Sequence, residues 1–247
     1  MKESIPKIIH YCWFGKKEKP ELIKRCIKSW REVLVDYEIK EWNEDNFDLS
    51  INNYVKEAYK TGKYAFVSDY VRVHSLYQYG GIYLDTDVEV FKSFDDLLHH
   101  DSFWGFEQAN YIATSTIGAK KQHPFIKTFV DSYKNLDFIQ SDGQLNEKTN
   151  VAIVTELLEK KGLKRSGTYQ EIKGCGAFFS QDYFSPYDYI NCYTMKTKNT
   201  YAMHHFYKSW MPLKTRMKGK VKKLAAKVIG GSNIARIRST FSRGENI

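Results

Sequence analysis

Two aspartates stand one residue apart at the end of a short apolar run, Ile82-Tyr83-Leu84-Asp85-Thr86-Asp87. On an extended strand, positions i and i+2 point to the same side, about 6–7 Å apart. Two ionised carboxylates held this close repel each other unless a cation lies between them. Mg²⁺ and Mn²⁺ prefer oxygen ligands and complete their shells with water and phosphate oxygens. Asp85 and Asp87 therefore predict a divalent-metal site, although two solvated turn residues would give the same pattern.

The segment before the aspartates must position them. Apolar residues recur at helical spacing over residues 65–79, which predicts a helix there. Gly80 and Gly81 follow, and glycine closes helices readily because it enters backbone regions that other residues avoid. Residues 82–84 then predict a short buried strand that ends at the aspartates, and residues 88–90 resume a strand pattern.

Strands and helices alternate along the rest of the chain. The pattern predicts a strand within residues 5–15 that runs into a glycine turn, further strands at 37–42 and 102–106, and helices at 21–32, 124–133 and 151–161. Such alternation is typical of an α/β layer fold.

Three segments, in order along the chain, resemble glycosyltransferase family 32, whose sugar-binding region contains a D-x-D motif. They are Ile8-Ile9-His10-Tyr11-Cys12-Trp13-Phe14-Gly15, then Ser68-Asp69-x-x-Arg72 with Tyr79-Gly80-Gly81-Ile82-Tyr83-Leu84-Asp85-Thr86-Asp87, and His204-His205-x-x-x-Ser209-Trp210. The family includes the yeast initiating α-mannosyltransferases and bacterial capsule enzymes, and the segments also resemble the large clostridial glucosylating toxins. The resemblance covers residues 5–212.

The resemblance implies a GT-A fold, a Rossmann-like nucleotide-binding sheet with the D-x-D motif, as a single catalytic domain over residues 1–212. It implies a metal-dependent retaining glycosyltransferase that moves a hexose from a nucleotide sugar, UDP-linked by its similarity to the toxins, to a glycan acceptor. The nucleotide is GDP in the mannosyltransferase branch. No carboxylate identifies itself as a covalent nucleophile, so we favour front-face attack assisted by the leaving phosphate.

The resemblance also assigns roles to individual residues. The donor-binding candidates are His10, Trp13, Asp69, Arg72, Tyr83, Asp85, Lys208, Ser209 and Trp210, and the catalytic candidates are Asp69, Arg72, Asp85 and Asp87. Trp13 would stack on the nucleobase. His205 would complete the shell of a Mn²⁺ or Mg²⁺ ion held by Asp85 and Asp87, with the adjacent His204 as the alternative. Each residue also has a structural interpretation: a surface ion pair for the Asp-Arg pair, and core positions for the tryptophan and the histidines.

Two other classes of protein remain open. A glycoside hydrolase uses paired carboxylates as acid and nucleophile, but its carboxylates flank the scissile bond, whereas Asp85 and Asp87 share one strand. A non-enzymatic basic module would bind membrane or nucleic acid through charge alone. Residues 101–150, on the expected acceptor side, match no motif, so the acceptor is open.

The positive charge of the chain belongs to its end. The formal net charge is +9, and residues 213–247 contain ten basic side chains and one acidic side chain. The preceding residues are therefore neutral overall, so the positive net charge gives no information about the binding partners of residues 1–212. The N-terminus lacks the apolar segment of a secretion signal, so we expect the four cysteines to be free thiols in a reducing cytoplasm.

The basic tail, residues 213–247, also has an apolar stripe. Met217, Val221, Leu224 and Val228 fall on one helical face, with lysines on the opposite arc. A basic amphipathic helix of low hydrophobicity lies in a membrane interface, drawn by anionic headgroups. We expect a peripheral enzyme on the cytoplasmic face of the cell membrane, acting on an undecaprenyl-diphosphate-linked acceptor in capsule, O-antigen or exopolysaccharide synthesis. The alternatives are a helix packed on the catalytic domain and a frayed, solvated tail, and no base-reading motif supports nucleic-acid binding.

Liposome co-sedimentation tests the tail. We expect the full chain to pellet with vesicles that contain anionic lipid at low salt, and to be released as ionic strength rises. A chain that ends at Pro212 should stay in the supernatant, because it lacks the basic helix. Equal pelleting of both chains, or pelleting of neither at low salt, would contradict the anchor.

Overall fold

The computed structural model describes residues 4–207 together with Gly230 and Asn233. The strands are β1 (Ile8–Cys12), β2 (Glu38–Trp42), β3 (Gly81–Leu84), β4 (Val88–Val90), β5 (Ser102–Phe106), β6 (Ile112–Ala119), β7 (Gln170–Ile172), β8 (Gly176–Phe179), β9 (Tyr187–Asp188), β10 (Tyr193–Thr194) and β11 (Ala202–His204). The helices are α1 (Glu21–Val33), α2 (Asn53–Lys60), α3 (Tyr64–Tyr79), α4 (Pro124–Asp131), α5 (Asn150–Glu159) and α6 (Gln181–Phe184). The predicted tail helix lies outside the described residues.

Seven of these strands form one twisted sheet in the order β2-β1-β3-β6-β5-β8-β7. Strands β1, β2, β3, β5 and β8 run in one direction, while β6 and β7 run against them. The structure therefore confirms the predicted α/β fold with a mostly parallel sheet. Strand β3 is an interior strand of the sheet. Asp85 and Asp87 follow it, at the edge where the carboxyl ends of the parallel strands meet. Open α/β sheets bind their ligands at this edge.

Apolar layers cover both faces of the sheet. Alternating side chains of β3 divide between them: Ile82 and Leu84 pack with α1 on one face, and Tyr83 packs with α2, α3, α4 and α5 on the other. This alternation follows from the two-residue period of a strand. Because all four residues of β3 are buried, the strand is held from both sides and the aspartates that follow it start from a fixed point.

Helix α3 leads directly into β3 through a tight glycine turn. Gly80 has φ = +69°, and a Cβ at this position would lie 2.6 Å from the backbone nitrogen of Lys121. Only glycine combines the positive φ with this close approach. The turn returns the chain from α3 to the sheet, so that the helix lies antiparallel to the strand that carries Asp85.

A two-stranded ribbon brings the end of the described chain to the aspartates. Strand β11 pairs antiparallel with β4, with His204 opposite Val88. Helix α1 holds β4 from the other side, because the indole N–H of Trp30 donates to the carbonyl of Val88 at 2.7 Å. Both histidines of the third family segment therefore lie next to the turn after β3.

Most predicted elements are present with boundaries shifted by one or two residues. The elements that the sequence pattern missed are α2, β6 and β8, among others. Strand β6 (Ile-Ala-Thr-Ser-Thr-Ile-Gly-Ala) is buried on both faces, so it lacks the polar and apolar alternation that marks a half-exposed strand. All four cysteines are free, as predicted. Among the described residues, no helix combines the length and the apolar composition needed to cross a bilayer.

The hydrogen bond between Trp30 and Val88 should contribute to the stability of the folded protein. Trp30→Phe removes the N–H donor of a fully buried residue and leaves the Val88 carbonyl unsatisfied, so we expect the free energy of unfolding to fall by about 1–3 kcal/mol. Urea denaturation at neutral pH measures it. Trp13→Phe is the matched control, because its indole N–H donates to the Lys17 carbonyl in a solvent-exposed turn. An equal loss in both variants would contradict the role of Trp30.

Candidate active site

Arg72 occupies the centre of a buried ionic cluster. Its Nη2 lies 3.1 Å from a carboxylate oxygen of Asp69 and 3.1 Å from one of Asp85. Its Nη1 donates to the backbone carbonyl of Thr114 at 2.5 Å. The Arg72 side chain is only 6% exposed, so the pair with Asp69 is not the surface ion pair that the i, i+3 spacing also allowed. Arg72 ties α3, β6 and the turn after β3 together.

Tyr83 supports this cluster from inside the core. Its ring lies under the Arg72 guanidinium, 4.6 Å from the centroid. Its hydroxyl donates to Asp85 at 3.1 Å. Tyr83 is 1% exposed, and the structure therefore shows a residue that orients Asp85 and Arg72. Its predicted contact with a donor remains a prediction.

Asp69 carries an unusual proton affinity. Burial raises its pKa to about 7, against the opposing pull of Arg72, and the nearby Asp85 charge raises it further. The backbone of Asn150, at the start of α5, acts in the opposite direction and lowers the pKa of Asp69. The carboxyl group therefore gains or loses its proton near neutral pH. Carboxyl groups with pKa values shifted this far are concentrated at functional sites.

Two residues beside this cluster, Thr114 and Asn150, gave no signal in the sequence. Asn150 is buried, and its amide oxygen accepts a hydrogen bond from the Thr114 hydroxyl at 2.9 Å. Its Nδ2 finds no partner within the described part of the chain. The Nε of Arg72 is likewise unpartnered there. Buried polar atoms without partners are costly, so these two donors are available to a bound polar molecule.

The second carboxylate pairs with a histidine. Asp87 Oδ1 lies 3.4 Å from His204 Nε2, and its Oδ2 accepts the backbone N–H of Tyr207 at 2.7 Å. Burial raises the pKa of Asp87, but the charge of His204 and these hydrogen bonds outweigh it and hold the pKa at about 2. Burial lowers the pKa of His204, and Asp87 overrides it to raise the pKa to about 9. The two groups form an ion pair at neutral pH.

The structure corrects the preferred metal-ligand prediction. Ligand atoms of Asp85, Asp87 and His204 lie within 4.8 Å of one another, the only such group among the described residues. His205 points away, with its Nε2 2.7 Å from a carboxylate oxygen of Glu89. The two adjacent imidazoles therefore contact different carboxylates, His204 that of Asp87 and His205 that of Glu89. The partner is His204, the alternative that the sequence left open.

Two oxygen ligands and one imidazole fit a divalent cation. Carboxylates are the preferred ligands of Mg²⁺ and Mn²⁺, and an imidazole nitrogen favours the transition ion. The His204 Nδ1 is buried and has no hydrogen-bond partner in the described residues, while the Phe206 ring packs against the imidazole with centroids 3.9 Å apart. The donor set is therefore compatible with a metal, and three protein ligands leave positions for phosphate oxygens and water.

The remaining predicted donor residues fall into two groups. Trp13 lies at the carboxyl end of β1, half-buried, with the Lys19 ammonium 5.5 Å from the ring centroid. His10 is fully buried: one ring nitrogen contacts the Gly80 carbonyl at 2.8 Å and the other accepts from the Trp42 indole at 3.2 Å. Both ring nitrogens of His10 therefore have partners within the protein, and its assignment to donor binding remains a prediction. Lys208, Ser209 and Trp210 lie outside the described residues.

Comparison with known proteins gives consistent matches. A family model described as "Capsular polysaccharide synthesis protein" matches residues 1–148. Inositol phosphoceramide mannosyltransferase 3 of Schizosaccharomyces pombe is 32% identical over 143 residues, which are 55% of this chain and 39% of that protein. The chain thus spans less than half the length of that relative. The uncharacterized glycosyltransferase L373 of Acanthamoeba polyphaga mimivirus is 24% identical over 234 residues, 84% of each chain.

Among solved structures, the PaToxG glycosyltransferase aligns with a TM-score of 0.48 and 20% identity. The alignment covers 64% of this chain and 69% of that structure.

The ion pair of His204 with Asp87 predicts a pH dependence of stability in the metal-free protein. The pKa of His204 is higher in the folded state than its ordinary value of 6.5. The contribution of the ion pair to the free energy of unfolding is therefore complete below pH 6.5. It is lost as pH rises through about 9, by at most about 1.4 kcal/mol per pH unit.

Urea denaturation between pH 6 and 9.5 in EDTA measures this loss as the difference between the wild type and His204→Gln. We expect the wild type to lose stability relative to His204→Gln over that range. His205→Gln is the matched control and should keep the wild-type decline. A constant difference between the wild type and His204→Gln would show that the pair does not form.

Proposed function

Because the chain belongs to the family of capsular polysaccharide synthesis proteins, we propose that it is a metal-dependent glycosyltransferase. It moves a hexose from a nucleotide sugar to a glycan acceptor. One observation carries the proposal: Asp85, Asp87 and His204 converge at the carboxyl edge of the sheet, next to the buried cation Arg72. Carboxylates beside a fixed positive charge suit a diphosphate that is bound through a cation.

The relatives support a transfer of sugar. One is named a mannosyltransferase acting on inositol phosphoceramide, and another a glycosyltransferase. Both names are consistent with a nucleotide-sugar donor for this chain. We propose UDP as the nucleotide, on the resemblance of residues 68–87 to the glucosylating toxins. We also propose a glycan as the acceptor, in line with the family description, and a lipid carrier for that glycan, in line with the membrane anchoring expected of residues 213–247.

The chemical difficulty of glycosyl transfer is the negative charge that accumulates on the leaving diphosphate. A divalent cation bound by Asp85, Asp87 and His204 would act as a Lewis acid toward that charge. Arg72 adds a guanidinium that is fixed by three contacts before substrate arrives, so that it needs no reorganisation during the reaction. Although burial lowers the pKa of Arg72, Asp85 and its other neighbours hold it above its ordinary value, so the charge is permanent.

Asp69 and Asn150 would bind the sugar. The Asp69 carboxyl group can accept or donate a hydrogen bond near neutral pH, and the Asn150 Nδ2 is an available donor. Sugar hydroxyls satisfy both kinds of group. We propose retention of the anomeric configuration through front-face attack, in which the leaving phosphate takes the acceptor proton and these residues only bind and orient the sugar.

A glycoside hydrolase fits the geometry less well. Its two carboxylates need one protonated acid at neutral pH. The pKa of Asp87 is held at about 2, so Asp87 has no proton to donate, and Asp85 is paired with Arg72. The basic tail does not distinguish an enzyme from a binding module, whereas the buried cluster of charges has no role in a module that binds through its tail.

A donor-release assay tests the proposal. Purified full-length protein is incubated with UDP- and GDP-hexoses in MnCl₂, and nucleotide release is measured with and without EDTA. We expect release from one donor, lost in EDTA, because the cation neutralises the leaving group. Arg72→Lys should lower kcat at least tenfold, since lysine cannot contact both carboxylates and the Thr114 carbonyl at once.

The adjacent histidines provide a matched control. His204→Gln should raise the Mn²⁺ concentration needed for half-maximal activity by about tenfold or more, as for the loss of a metal ligand, while His205→Gln should leave it unchanged. Undiminished nucleotide release in EDTA would contradict the proposed role of a metal ion. Failure of the protein to bind or turn over any of the nucleotide sugars would sink the transferase itself.

A further inference from the structure

A carboxylate with one engaged and one open oxygen lies just beyond the carboxyl end of β2. Oε1 of Glu44 accepts both the backbone N–H of Gly15 at 2.6 Å and the Tyr59 hydroxyl at 3.1 Å. The other oxygen, Oε2, has no hydrogen-bond partner in the described part of the chain. Glu44 is half-buried, and Oε2 is not one of the buried polar atoms. This oxygen is therefore accessible to a molecule that donates a hydrogen bond.

The loop after β1 holds the Glu44 carboxylate in one orientation. Gly15 has φ = +93°, and a Cβ at this position would lie 2.4 Å from the Tyr64 ring. The loop is thus confined between Tyr64 and Glu44. The rings of Tyr59 and Tyr64 pack with centroids 5.4 Å apart, so both partners of Oε1 belong to one packed unit. The position of Oε2 is set before a ligand binds, which lowers the cost of binding.

Glu44 lies at the same edge of the sheet as the candidate active site. Strands β2, β1 and β3 are neighbours and run in parallel, so Glu44, Gly15 and Asp85 all follow the carboxyl ends of their strands. Neighbouring strands lie about 4.8 Å apart, which places the ends of β2 and β3 about 10 Å apart. In a nucleoside diphosphate, the ribose separates the base from the phosphates by a distance of this order. A diphosphate bound beside Asp85 would therefore bring its base to the end of β2.

Trp13 occupies the end of the strand between these two positions. It stands two residues before Gly15 and is half-buried, and its indole N–H donates to the Lys17 carbonyl at 2.6 Å. Aromatic rings stack on every nucleobase, because every base has a π-face. Stacking on Trp13 would therefore favour nucleotides in general, and discrimination between them needs a polar group at the edge of the base. Oε2 of Glu44 is such a group.

We propose that Glu44 selects the nucleobase of the donor, by accepting a hydrogen bond at Oε2 from a ring N–H at the edge of the base. The inference rests on the proposed transferase function. An ionised carboxylate accepts hydrogen bonds and cannot donate them. Uracil and guanine present a ring N–H, at N3 and N1 respectively, whereas cytosine and adenine present a lone pair at the corresponding ring nitrogen. Glu44 therefore favours UDP or GDP over CDP or ADP, since the wrong base leaves its oxygen facing a lone pair.

Calorimetric titration of the full-length protein in MnCl₂ tests this role with UDP, CDP, GDP and ADP. The affinity ratios of UDP to CDP and of GDP to ADP isolate the edge of the base, because each pair shares its ribose, its phosphates and its ring system. We expect the wild type to bind UDP at least tenfold more tightly than CDP, the effect of one hydrogen bond to a charged group. Should GDP be the preferred nucleotide, the same ratio is expected of GDP to ADP.

Glu44→Gln changes the open position alone. The amide oxygen still accepts from Gly15 and Tyr59, so the amide nitrogen must take the place of Oε2 and present a donor there. The ratio for the preferred pair should fall about tenfold or more, with the affinity for CDP or ADP equal or higher. The urea midpoint should equal that of the wild type, because both hydrogen bonds to Oε1 remain. A purely structural Glu44 would leave the ratio at its wild-type value.

Two matched controls separate the direct contact from other effects. Glu41→Gln removes the same charge from the end of the same strand, but the Glu41 carboxylate is already bonded to Tyr11, Lys19 and Asn43. This variant should keep the wild-type ratio. Tyr59→Phe removes one partner of Glu44 Oε1 and leaves Oε2 in place. It should lower the urea midpoint and also keep the ratio.

The outcomes distinguish the base assignment from the transferase. Wild-type protein that binds CDP as tightly as UDP and ADP as tightly as GDP would overturn the role of Glu44 and leave the transferase standing. The same holds for a Glu44→Gln ratio equal to that of the wild type. A ratio that falls equally in Glu44→Gln and in either control would overturn the role too, because charge at a distance or loosening of the loop would explain it. Wild-type protein that binds none of the four nucleotides would overturn both proposals together.

Discussion

The burial of the Arg72 guanidinium is the constraint on which the rest of the site depends. A buried charge costs several kcal/mol unless it is paired and hydrogen-bonded. Arg72 meets this condition only when Asp69 on α3, the Thr114 carbonyl on β6 and Asp85 after β3 surround it together. The packing of α3 on the sheet and the geometry of the turn after β3 are therefore coupled through one side chain.

The charges around Arg72 balance in the metal-free protein through shared protons. Asp69 has a pKa of about 7 because burial and Asp85 both oppose its ionisation, and His204 has a pKa of about 9 because Asp87 holds its proton. The Asp87 carboxylate is thus matched by the protonated His204, and Asp85 lies beside the Arg72 guanidinium. A divalent cation bound at the proposed site would compete with the proton of His204, so its binding would release a proton.

The two halves of the proposed site are positioned by different parts of the fold. Asp69, Arg72 and Asp85 are placed by a continuous stretch, α3, the glycine turn at Gly80 and β3. His204 comes from the far end of the described chain and depends on the pairing of β11 with β4, which the bond between Trp30 and Val88 supports.

The sequence by itself determined the local part of this protein. The helix-glycine-strand-aspartate order of residues 65–87 specified α3, β3 and the position of Asp85 and Asp87, because helical period, glycine turns and strand ends are all properties of neighbouring residues. Tertiary structure decided the rest. The spacing could not tell His204 from His205, since only the register of β11 on β4 decides which imidazole faces Asp87. It also gave no sign of Thr114 or Asn150, because burial beside a charge, and not residue type or period, makes those polar groups part of a site.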